Sequence, residues 1–379
     1  YYRPHTSGLT IYAERLATGL VARGHEVTVL TSRFDPRTSS LEHQRGVRIV
    51  RAPVWFRVSR GVVMPTFGWL ATRLAREHDV ISLHLPQFDA AGVALRGRWM
   101  RKPTTLTYHC DLLLPPGLLN RVANGAVDVM NRLAGALSHR VIAYTEDYAT
   151  SSPFLRRLAH KLAVIPPPVE LPELAPSAVE AFRAAFVPDS RRPVIGMAAR
   201  LATEKGVEVL VNALPRIVRE FPGALVLFAG QHEDVLGEAD YARRIARALE
   251  PHAGRWRFLG VLDPAQMASF FRSIDVVVVP SLNSTESFGL VQVEAMLGGT
   301  PSVASALPGV RQPVLQTGMG EVVPIGDAAA LGEAIVRVVR DRSRYVRPRA
   351  EIENRFSTGR TAEAYEALFE ELRDELRRP

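Results

Sequence analysis

The residues that decide the fold are "IDVVVVPSLNSTESFGLVQVEAMLGGTP", positions 274–301. The apolar run Val276–Val279 is typical of a parallel β-strand that is buried on both faces. A polar loop follows it, and the next segment is a helix that Gly298 and Gly299 end. The sequence therefore predicts a strand, a loop and a helix in succession, which is the repeating unit of α/β folds.

Two carboxylates flank the start of this helix. Glu286 lies in the loop at the helix entrance, and Glu294 lies about two turns further on, roughly 12 Å along the axis. The free backbone N–H groups of Phe288–Val291 would bind an anion, and a carboxylate can bind vicinal hydroxyls. The pattern suits a ligand with sugar hydroxyls beside a phosphate. The structural alternative is that Glu286 caps the helix and Glu294 is solvated.

Strand and helix alternate along the whole 379-residue chain, which is long enough for two domains. This alternation predicts parallel sheets covered by helices. Domains are expected over residues 1–168 and 192–358, with a Pro-rich, strand-free linker at 169–191 and a last helix at 359–379. The predicted strands lie at 25–32, 47–54, 79–85, 104–109, 140–145, 162–168, 193–199, 224–230, 257–261, 275–281, 301–305 and 320–325.

The composition restricts the class of protein. A hydrophobic content of 47% with 23% charged residues is typical of a globular chain. The one cysteine, Cys110, favours a reducing compartment, and no run of about 18 apolar residues predicts a membrane span. Residues 1–168 carry 22 Lys and Arg against 11 Asp and Glu, whereas the remainder carries 25 against 28. The basic first half favours an anionic partner: phosphate, an acidic lipid surface or nucleic acid.

Two cations follow the first strand of the second half. The segment "GMAARLATEKG", residues 196–206, places Arg200 and Lys205 in the loop after that strand, on the same strand-end side as Glu286. Cations there suit phosphates, although alone they would be typical of a solvated loop. The G-x-G-x-x-G and Walker motifs are absent, which disfavours hydride transfer and nucleotide hydrolysis. The histidines have no metal-ligand spacing, so no metal is predicted.

Taken together, these motifs resemble a family 4 retaining glycosyltransferase of the GT-B fold, an α/β fold of two Rossmann-like domains facing each other. The resemblance covers nearly the whole chain. The segments that carry it are "PHTSGLTIYAERLATGLVARGHEVTVLTS" (4–32), "HLPQFD" (84–89), "TYHCD" (107–111), "VIAYTEDYA" (141–149), "RLATEKG" (200–206) and "VPSLNSTESFGLVQVEAMLGGTPSVAS" (279–305).

The resemblance implies a retaining, metal-independent hexosyltransferase that uses a UDP- or GDP-sugar and needs no cofactor. It assigns the donor diphosphate to Arg200 and Lys205, the sugar hydroxyls to Glu286 and the ribose diol to Glu294. His109 would stand close to the transferred sugar and the acceptor, so these residues, apart from Glu294, are expected to be catalytic. The other implied donor-binding residues are Gly8, Leu9, Leu259, Gly260, Ser287, Phe288, Gly289, Leu290 and Val291.

The resemblance also implies partners and a location. The first domain would bind the acceptor, a glycan or a lipid-linked molecule, and the last helix would cross back to that domain. No nucleic acid is expected, and the basic charge adds an anionic membrane surface as a candidate partner. The expected location is the cytoplasm, with peripheral association at the inner face of the cell membrane left open.

Two features depart from the family pattern. The first β-strand, usually just before "YYRPHTSG", is missing from the sequence, and Ser7-Gly8 stands where many relatives have two glycines. Two other classes of function also stay open. A nucleotide-sugar epimerase or hydrolase of similar architecture would release nucleotide without an acceptor, and a non-catalytic binding protein would bind the donor without turnover.

Overall fold

The computed structural model describes residues 1–5, 7–58, 61–111, 118–188 and 192–378. The chain divides into two compact units. The first comprises Tyr1–Pro168 and Phe356–Pro379, and the second comprises Val169–Arg355. Each unit contains parallel strands connected by helices, so the α/β fold class predicted from the alternation is confirmed.

The strands of the first unit form a three-stranded sheet, a four-stranded sheet and a hairpin. They are β1 (Thr28–Arg33), β2 (Leu41–Gln44), β3 (Val47–Pro53), β4 (Phe56–Val58), β5 (Gly61–Val63), β6 (Ile81–Leu85), β7 (Thr104–Tyr108), β8 (Arg140–Ala143) and β9 (Leu162–Val164). The sheet orders are β1-β3-β2 and β6-β7-β8-β9, and β4 pairs with β5. Only β2–β3 and β4–β5 are antiparallel among these described pairs.

Every strand predicted for the first half is present, but three further strands were not predicted. The residues of β2 and β5 are mostly exposed. A strand without a buried face shows no apolar alternation, which is why the sequence pattern gave no signal for them. The helices of this part are α1 (Gly8–Ala22), α2 (Phe67–Glu77), α3 (Ala90–Trp99), α4 (Leu118–Leu137), α5 (Glu146–Ser151) and α6 (Pro153–Arg156).

The ends of three strands meet in the core of the first unit. Ala52, Leu85 and Tyr108 are the last or next-to-last residues of β3, β6 and β7, and all three belong to one buried cluster. Because these strands end beside one another, the loops that follow them share one edge, which we call the carboxyl edge of the first unit.

The second unit is built on a parallel sheet in which six strands are described. They are β10 (Val194–Ala198), β11 (Leu225–Ala229), β12 (Trp256–Gly260), β13 (Val276–Val279), β14 (Ser302–Ser305) and β15 (Gly320–Val323), and each matches a predicted strand. The order is β12-β11-β10-β13-β14-β15. The chain moves outward from β10 to β12 and then starts again on the other side with β13. The strand order therefore reverses between β10 and β13.

Helices cover this sheet. They are α7 (Pro176–Phe186), α8 (Val207–Glu220), α9 (Ala239–Leu249), α10 (Pro264–Ser273), α11 (Leu290–Leu297), α12 (Gln312–Thr317), α13 (Ala328–Arg340) and α14 (Arg349–Phe356). The apolar faces of α8 and α13, represented by Leu214 and Ile335, share a buried cluster with Val276 and Val278 of β13. The apolar run that predicted the fold is thus the middle of this core.

Residues 169–191, expected to be a linker, contain a helix and are grouped with the second unit in their described part. Proline is well placed in the first turn of α7, where its missing N–H is not needed. Phe182 of this helix is buried, and its ring packs at a tilt against that of Phe186 with centroids 4.8 Å apart. A short helix with so few buried residues has a weak sequence pattern, which explains the different prediction.

The C-terminal helix α15 (Thr358–Arg377) belongs to the first unit. It packs along α1, and Gly19 of α1 allows this contact because a Cβ there would lie 2.9 Å from the side chain of Thr358. Tyr365 and Leu372 of α15 are fully buried. The last helix is therefore part of the core that also contains α1.

Candidate active site

Lys205 is positioned by the loop between β10 and α8. A 3₁₀ turn that ends at Lys205 leads to Gly206, the N-cap of α8, which has a φ of +66°. A Cβ on Gly206 would lie 2.2 Å from the carbonyl oxygen of Pro280. The N–H of Leu282 also donates to the carbonyl of Glu204 at 2.9 Å. Glycine thus lets this loop pack directly against the loop that follows β13.

The loop between β13 and α11 presents Glu286 at the entrance of the helix. The side-chain oxygen of Asn283 accepts hydrogen bonds from the N–H of Thr285 at 3.1 Å and from its hydroxyl at 2.7 Å, which fixes the turn. Gly289 is the N-cap of α11 with a φ of +79°. A Cβ on Gly289 would lie 2.6 Å from the side-chain nitrogen of Gln292. The helix entrance therefore also depends on glycine.

The two loops meet at the point where the strand order reverses, because β10 and β13 are neighbouring parallel strands. Open α/β sheets bind ligands at such points. Lys205 Nζ and a carboxylate oxygen of Glu286 form an ion pair there, with side chains 20% and 21% exposed. In the same loop, Arg200 is exposed and donates to a carboxylate oxygen of Glu204 at 3.0 Å. Lys205 and Glu286 thus meet beside a helix entrance and remain partly open to solvent, while Arg200 is exposed in the same loop as Lys205.

The predicted donor-binding residues of the helix itself differ in burial. Ser287 and Phe288 are buried, at 5% and 1% exposure, whereas Leu290, Val291 and Glu294 are half-buried. Glu294 lies within α11, whereas Glu286 lies in the loop before that helix. The backbone of the buried pair and the half-buried Glu294 side chain are the parts that a ligand could contact.

Gln292 is a residue of this region that the sequence reasoning missed. Its side chain is fully buried, and its nitrogen donates to the carbonyl of Phe288 at 3.2 Å and to that of Val310 at 2.8 Å. Its oxygen accepts from the hydroxyl of Ser302 at 3.1 Å. A polar amide between two valines was the available signal. Gln292 fixes the first turn of α11 against β14, and hence the position of the helix entrance.

The end of β12 contains the residues expected near a nucleotide base. Leu259 and Gly260 are half-buried, and Gly260 has a φ of +70°. The carbonyl of Gly260 accepts from the N–H of Gly230, at the end of β11, at 2.7 Å. Beside them the rings of His232 and Phe258 stack, with centroids 4.6 Å apart and an interplanar angle of 12°. The stack supplies a flat aromatic surface that the sequence did not indicate.

Gly8 and Leu9 begin α1 in the first unit. Ser7 is the N-cap, and its hydroxyl oxygen accepts from the N–H of Thr10 at 3.3 Å while the side chain of Thr10 accepts from the N–H of Ser7 at 2.8 Å. Gly8 is exposed and Leu9 is half-buried. The serine that stands in place of a second glycine therefore has a structural role, because it completes the cap of this helix.

His109 follows β7 at the carboxyl edge of the first unit and is 5% exposed. Its Nε2 lies 2.9 Å from Nδ1 of His84, and its Nδ1 hydrogen-bonds the hydroxyl of Tyr144. Burial, with a smaller effect of His84, lowers the pKa of His109 well below its usual range. Burial also lowers the pKa of His84 to about 4. Both imidazoles are neutral at neutral pH, so each ring has one N–H that donates and one nitrogen that accepts.

A buried chain of hydroxyls adjoins these histidines. The ring of Tyr12, on α1, packs edge-on against His109 with centroids 4.8 Å apart. The hydroxyl of Tyr365 lies 2.7 Å from that of Tyr12 and 2.6 Å from that of Thr107 in β7. Burial raises the pKa of Tyr365 to about 12, so it stays protonated. The helix that begins at Gly8 is thereby fastened to the strand that ends beside His109.

The structure thus places the predicted residues in two sets. The first unit contains Gly8, Leu9 and His109, and the second contains Arg200, Lys205, Leu259, Gly260, Glu286, Ser287, Phe288, Gly289, Leu290, Val291 and Glu294. Within the described ranges, no group of three or more His, Cys, Asp or Glu side chains could hold a metal ion. In the same part of the chain, no helix is both long and apolar enough to cross a bilayer.

Comparisons with known proteins agree with this architecture. Residues 6–173 match the model of "Glycosyltransferase Family 4", and residues 178–355 match that of "Glycosyl transferases group 1". A 2-deoxystreptamine N-acetyl-D-glucosaminyltransferase of Streptomyces fradiae is 31% identical over 362 residues, which cover 89% of this chain and 84% of that protein.

A phosphatidyl-myo-inositol mannosyltransferase of Mycobacterium leprae is 38% identical over 169 residues. That alignment covers 44% of this chain and 43% of the relative, so the matched part of the chain spans less than half the length of that relative. The structure of Anabaena HepE in complex with UDP and glucose superposes with a TM-score of 0.76 and 20% identity, covering 98% of both chains.

The two Rossmann-like units have the architecture of the GT-B fold class. The chain belongs to glycosyltransferase family 4. The resemblance found in the sequence is therefore confirmed. The comparisons give no support to an epimerase, a hydrolase or a non-catalytic binding protein.

Proposed function

We propose that the protein transfers a sugar from a UDP- or GDP-sugar to an acceptor hydroxyl. The observation that carries the proposal is the contact of Lys205 with Glu286 at the reversal point of the second sheet. A cation suited to a diphosphate stands there beside a carboxylate suited to sugar hydroxyls. The presence of UDP and glucose in the similar Anabaena structure supports a donor of this chemistry.

The candidate site residues of the second unit have separate roles in this proposal. Lys205 has three N–H donors, so it can contact a phosphate without leaving Glu286. Arg200 adds a second cation for the diphosphate, while Glu286 accepts hydrogen bonds from the sugar and Glu294 from the ribose. The backbone N–H groups at the entrance of α11 stabilise the charge that develops on the leaving diphosphate. These charges would take the place of a divalent metal. Retention of configuration is proposed from the family resemblance, with the acceptor hydroxyl attacking the face that the diphosphate leaves.

The first unit serves the acceptor in this proposal. His109, neutral and hydrogen-bonded on both ring nitrogens, contacts the transferred sugar and the acceptor, and Gly8 and Leu9 present the N-terminus of α1 to the donor. Two observations support a lipid-linked or glycan acceptor. The first unit carries 26 Lys and Arg against 17 Asp and Glu, a formal charge of +9. The Mycobacterium leprae relative is named for a phosphatidyl-myo-inositol acceptor. A cytoplasmic location at the inner face of the membrane fits such an acceptor.

The experiment is a donor screen with a matched lysine control. UDP-, GDP- and ADP-sugars are added to the wild type, to Lys205→Met and to Lys102→Met, and the melting temperature and the dissociation constant are measured. One UDP- or GDP-sugar should stabilise the wild type and Lys102→Met. Binding to Lys205→Met should be at least about tenfold weaker, since a hydrogen bond to a charged group contributes about 1.5–3 kcal/mol.

Two results would contradict the proposal. One is that no nucleotide-sugar stabilises the wild type, and the other is that Lys205→Met binds the donor as tightly as Lys102→Met does. Once the donor is known, the anomeric configuration of the product by NMR tests retention.

A further inference from the structure

Large aromatic side chains are exposed on the first unit. Trp55 is 76% exposed, Trp69 64% and Phe88 57%, and Phe56 and Val63 are also exposed. Scattered apolar residues on a surface need no explanation, but contiguous ones mark an interaction site. Tryptophan has the largest side chain, so its exposure leaves a large apolar area in water. The position of these residues in the fold shows whether they are scattered or lie together.

The topology places these five residues at one edge. Trp55, Phe56 and Val63 lie in and beside the β4–β5 hairpin, which directly follows the end of β3. Trp69 lies in the first turn of α2, which begins at this edge because the helix ends just before the start of β6. Phe88 lies in the loop that follows the end of β6. We call these five residues the aromatic rim.

The aromatic rim shares its edge with His109. The ends of β3, β6 and β7 meet in one core cluster through Ala52, Leu85 and Tyr108, and His109 follows Tyr108 directly. The edge that presents the exposed aromatic residues is thus the one that presents the candidate catalytic histidine.

Arginines lie beside the rim residues, and some of them form ion pairs. The guanidinium of Arg73 lies over the ring of Trp69, 5.6 Å from its centroid. Arg57, in the hairpin, donates to the carbonyl of Phe34 in the loop after β1, and that loop also carries Arg37. The one carboxylate of that loop, Asp35, is already paired with Arg37 at 2.8 Å. Arg73 is likewise paired with Glu77 at 3.1 Å, so the positive charge that would attract an anionic surface is the net charge of the whole first unit, +9.

We propose that the aromatic rim docks the protein on the surface of an anionic lipid bilayer. Tryptophan is favoured at membrane interfaces, where its ring is buried and its N–H stays near water. Arginine is attracted by anionic headgroups, and each such contact adds to the binding. The proposal rests on the proposed function, because docking at this edge would bring the headgroup of a lipid-linked acceptor to the side of the unit that carries His109. A protein partner on the same rim would require no anionic lipid.

The test is sedimentation with vesicles of phosphatidylcholine alone and of phosphatidylcholine with phosphatidylglycerol. The variants are Trp55→Ser/Trp69→Ser and the control Trp99→Ser. Trp99 is 72% exposed, but it ends α3 at the opposite edge, just before β7 begins. The wild type and the control should bind the anionic vesicles, less so in high salt, and the double variant should bind at least about tenfold more weakly. Circular dichroism checks that each variant folds.

Several outcomes would overturn the docking proposal. They are binding to neutral vesicles as strong as to anionic ones, equal loss in the control, unchanged binding in the double variant, and no sedimentation of the wild type. The melting-temperature shift with the nucleotide-sugar is measured on the same samples without vesicles. If that shift persists in the double variant while vesicle binding fails, the proposed transfer function stands and the docking proposal is judged alone.

Discussion

His84 and His109 show how burial sets the chemistry of a single residue. Both rings are enclosed by aromatic neighbours, and the loss of hydration favours their neutral forms. With one proton on each ring, the 2.9 Å bond between them can have either nitrogen as the donor. The hydroxyl of Tyr144 donates or accepts accordingly at the other nitrogen of His109. The tautomers of His84 and His109 are therefore coupled through this hydrogen bond.

The low pKa of His84 predicts a specific dependence of stability on pH. In the unfolded chain this histidine binds a proton below about pH 6.5, whereas in the folded chain it does so only below about pH 4. The unfolded state therefore binds more protons between these values, and the free energy of unfolding falls as the pH falls through this window. Between pH 7 and pH 5, His84 should account for about 2 kcal/mol of that loss.

Urea unfolding of the wild type and His84→Asn at pH 7, 6 and 5 measures this effect. The variant has a lower stability at pH 7, because the partner of His109 changes, but its stability should fall less steeply toward pH 5. Parallel curves for the two proteins would show that His84 is not neutral in the folded state.

At the scale of elements, the packing of two loops depends on one glycine. Gly206 has a positive φ and a close approach to the carbonyl of Pro280, whereas Gly237 has a positive φ of +82° with no atom within 4 Å of a Cβ. Alanine at either position should cost roughly 1 kcal/mol for the backbone conformation. Only Gly206→Ala should also push the Lys205 loop away from Glu286 and weaken donor binding, by about tenfold if one charged contact is lost.

Calorimetric titration of the donor into the two alanine variants distinguishes the two causes. Equal donor affinity in Gly206→Ala and Gly237→Ala would mean that the close packing of the loops has no part in binding.

A second prediction at this scale concerns the C-terminal helix, α15. Tyr365→Phe removes the hydroxyl that joins Tyr12 to Thr107, and this should cost about 1–3 kcal/mol because buried hydroxyls lose their partner. In the double variant Tyr12→Phe/Tyr365→Phe the loss should be smaller than the sum of the single losses. The control Tyr345→Phe removes a half-buried hydroxyl bonded to Glu321 and should cost less. Additive losses measured by denaturant unfolding would contradict a direct link.

For the whole molecule, the distribution of charge is uneven. The first unit has a formal charge of +9, and the second, with 21 Lys and Arg against 22 Asp and Glu, has −1. In the nearly neutral second unit, the cations of the candidate donor site are Arg200 and Lys205, and each is paired with a glutamate. In the proposed function these two cations would stabilise the diphosphate in place of a metal, so we expect sugar transfer to continue in EDTA. Loss of product formation in EDTA, with recovery on adding Mg²⁺ or Mn²⁺, would contradict this.

The sequence by itself determined the class of the fold and the strands, loops and helices that carry the candidate donor site. Apolar runs such as Val276–Val279 and the helix periods between them are local patterns, and each predicted strand was found in the structure. The position of Glu286 before its helix was equally local. The exposed β-hairpin and the short helix α7 were missed, because elements with few buried residues show little periodicity.

Only the tertiary structure decided which side chains meet. Lys205 and Glu286 are 81 residues apart, and they pair because β13 lies next to β10 in the sheet. Tyr12 and Tyr365 are 353 residues apart, and the packing of α15 on α1 joins them. The contact between His84 and His109 depends in the same way on the pairing of β6 with β7. Hydrophobic periodicity determines which face of an element is buried, but strand order and helix packing follow from the lowest free energy of the folded unit, which no local pattern encodes.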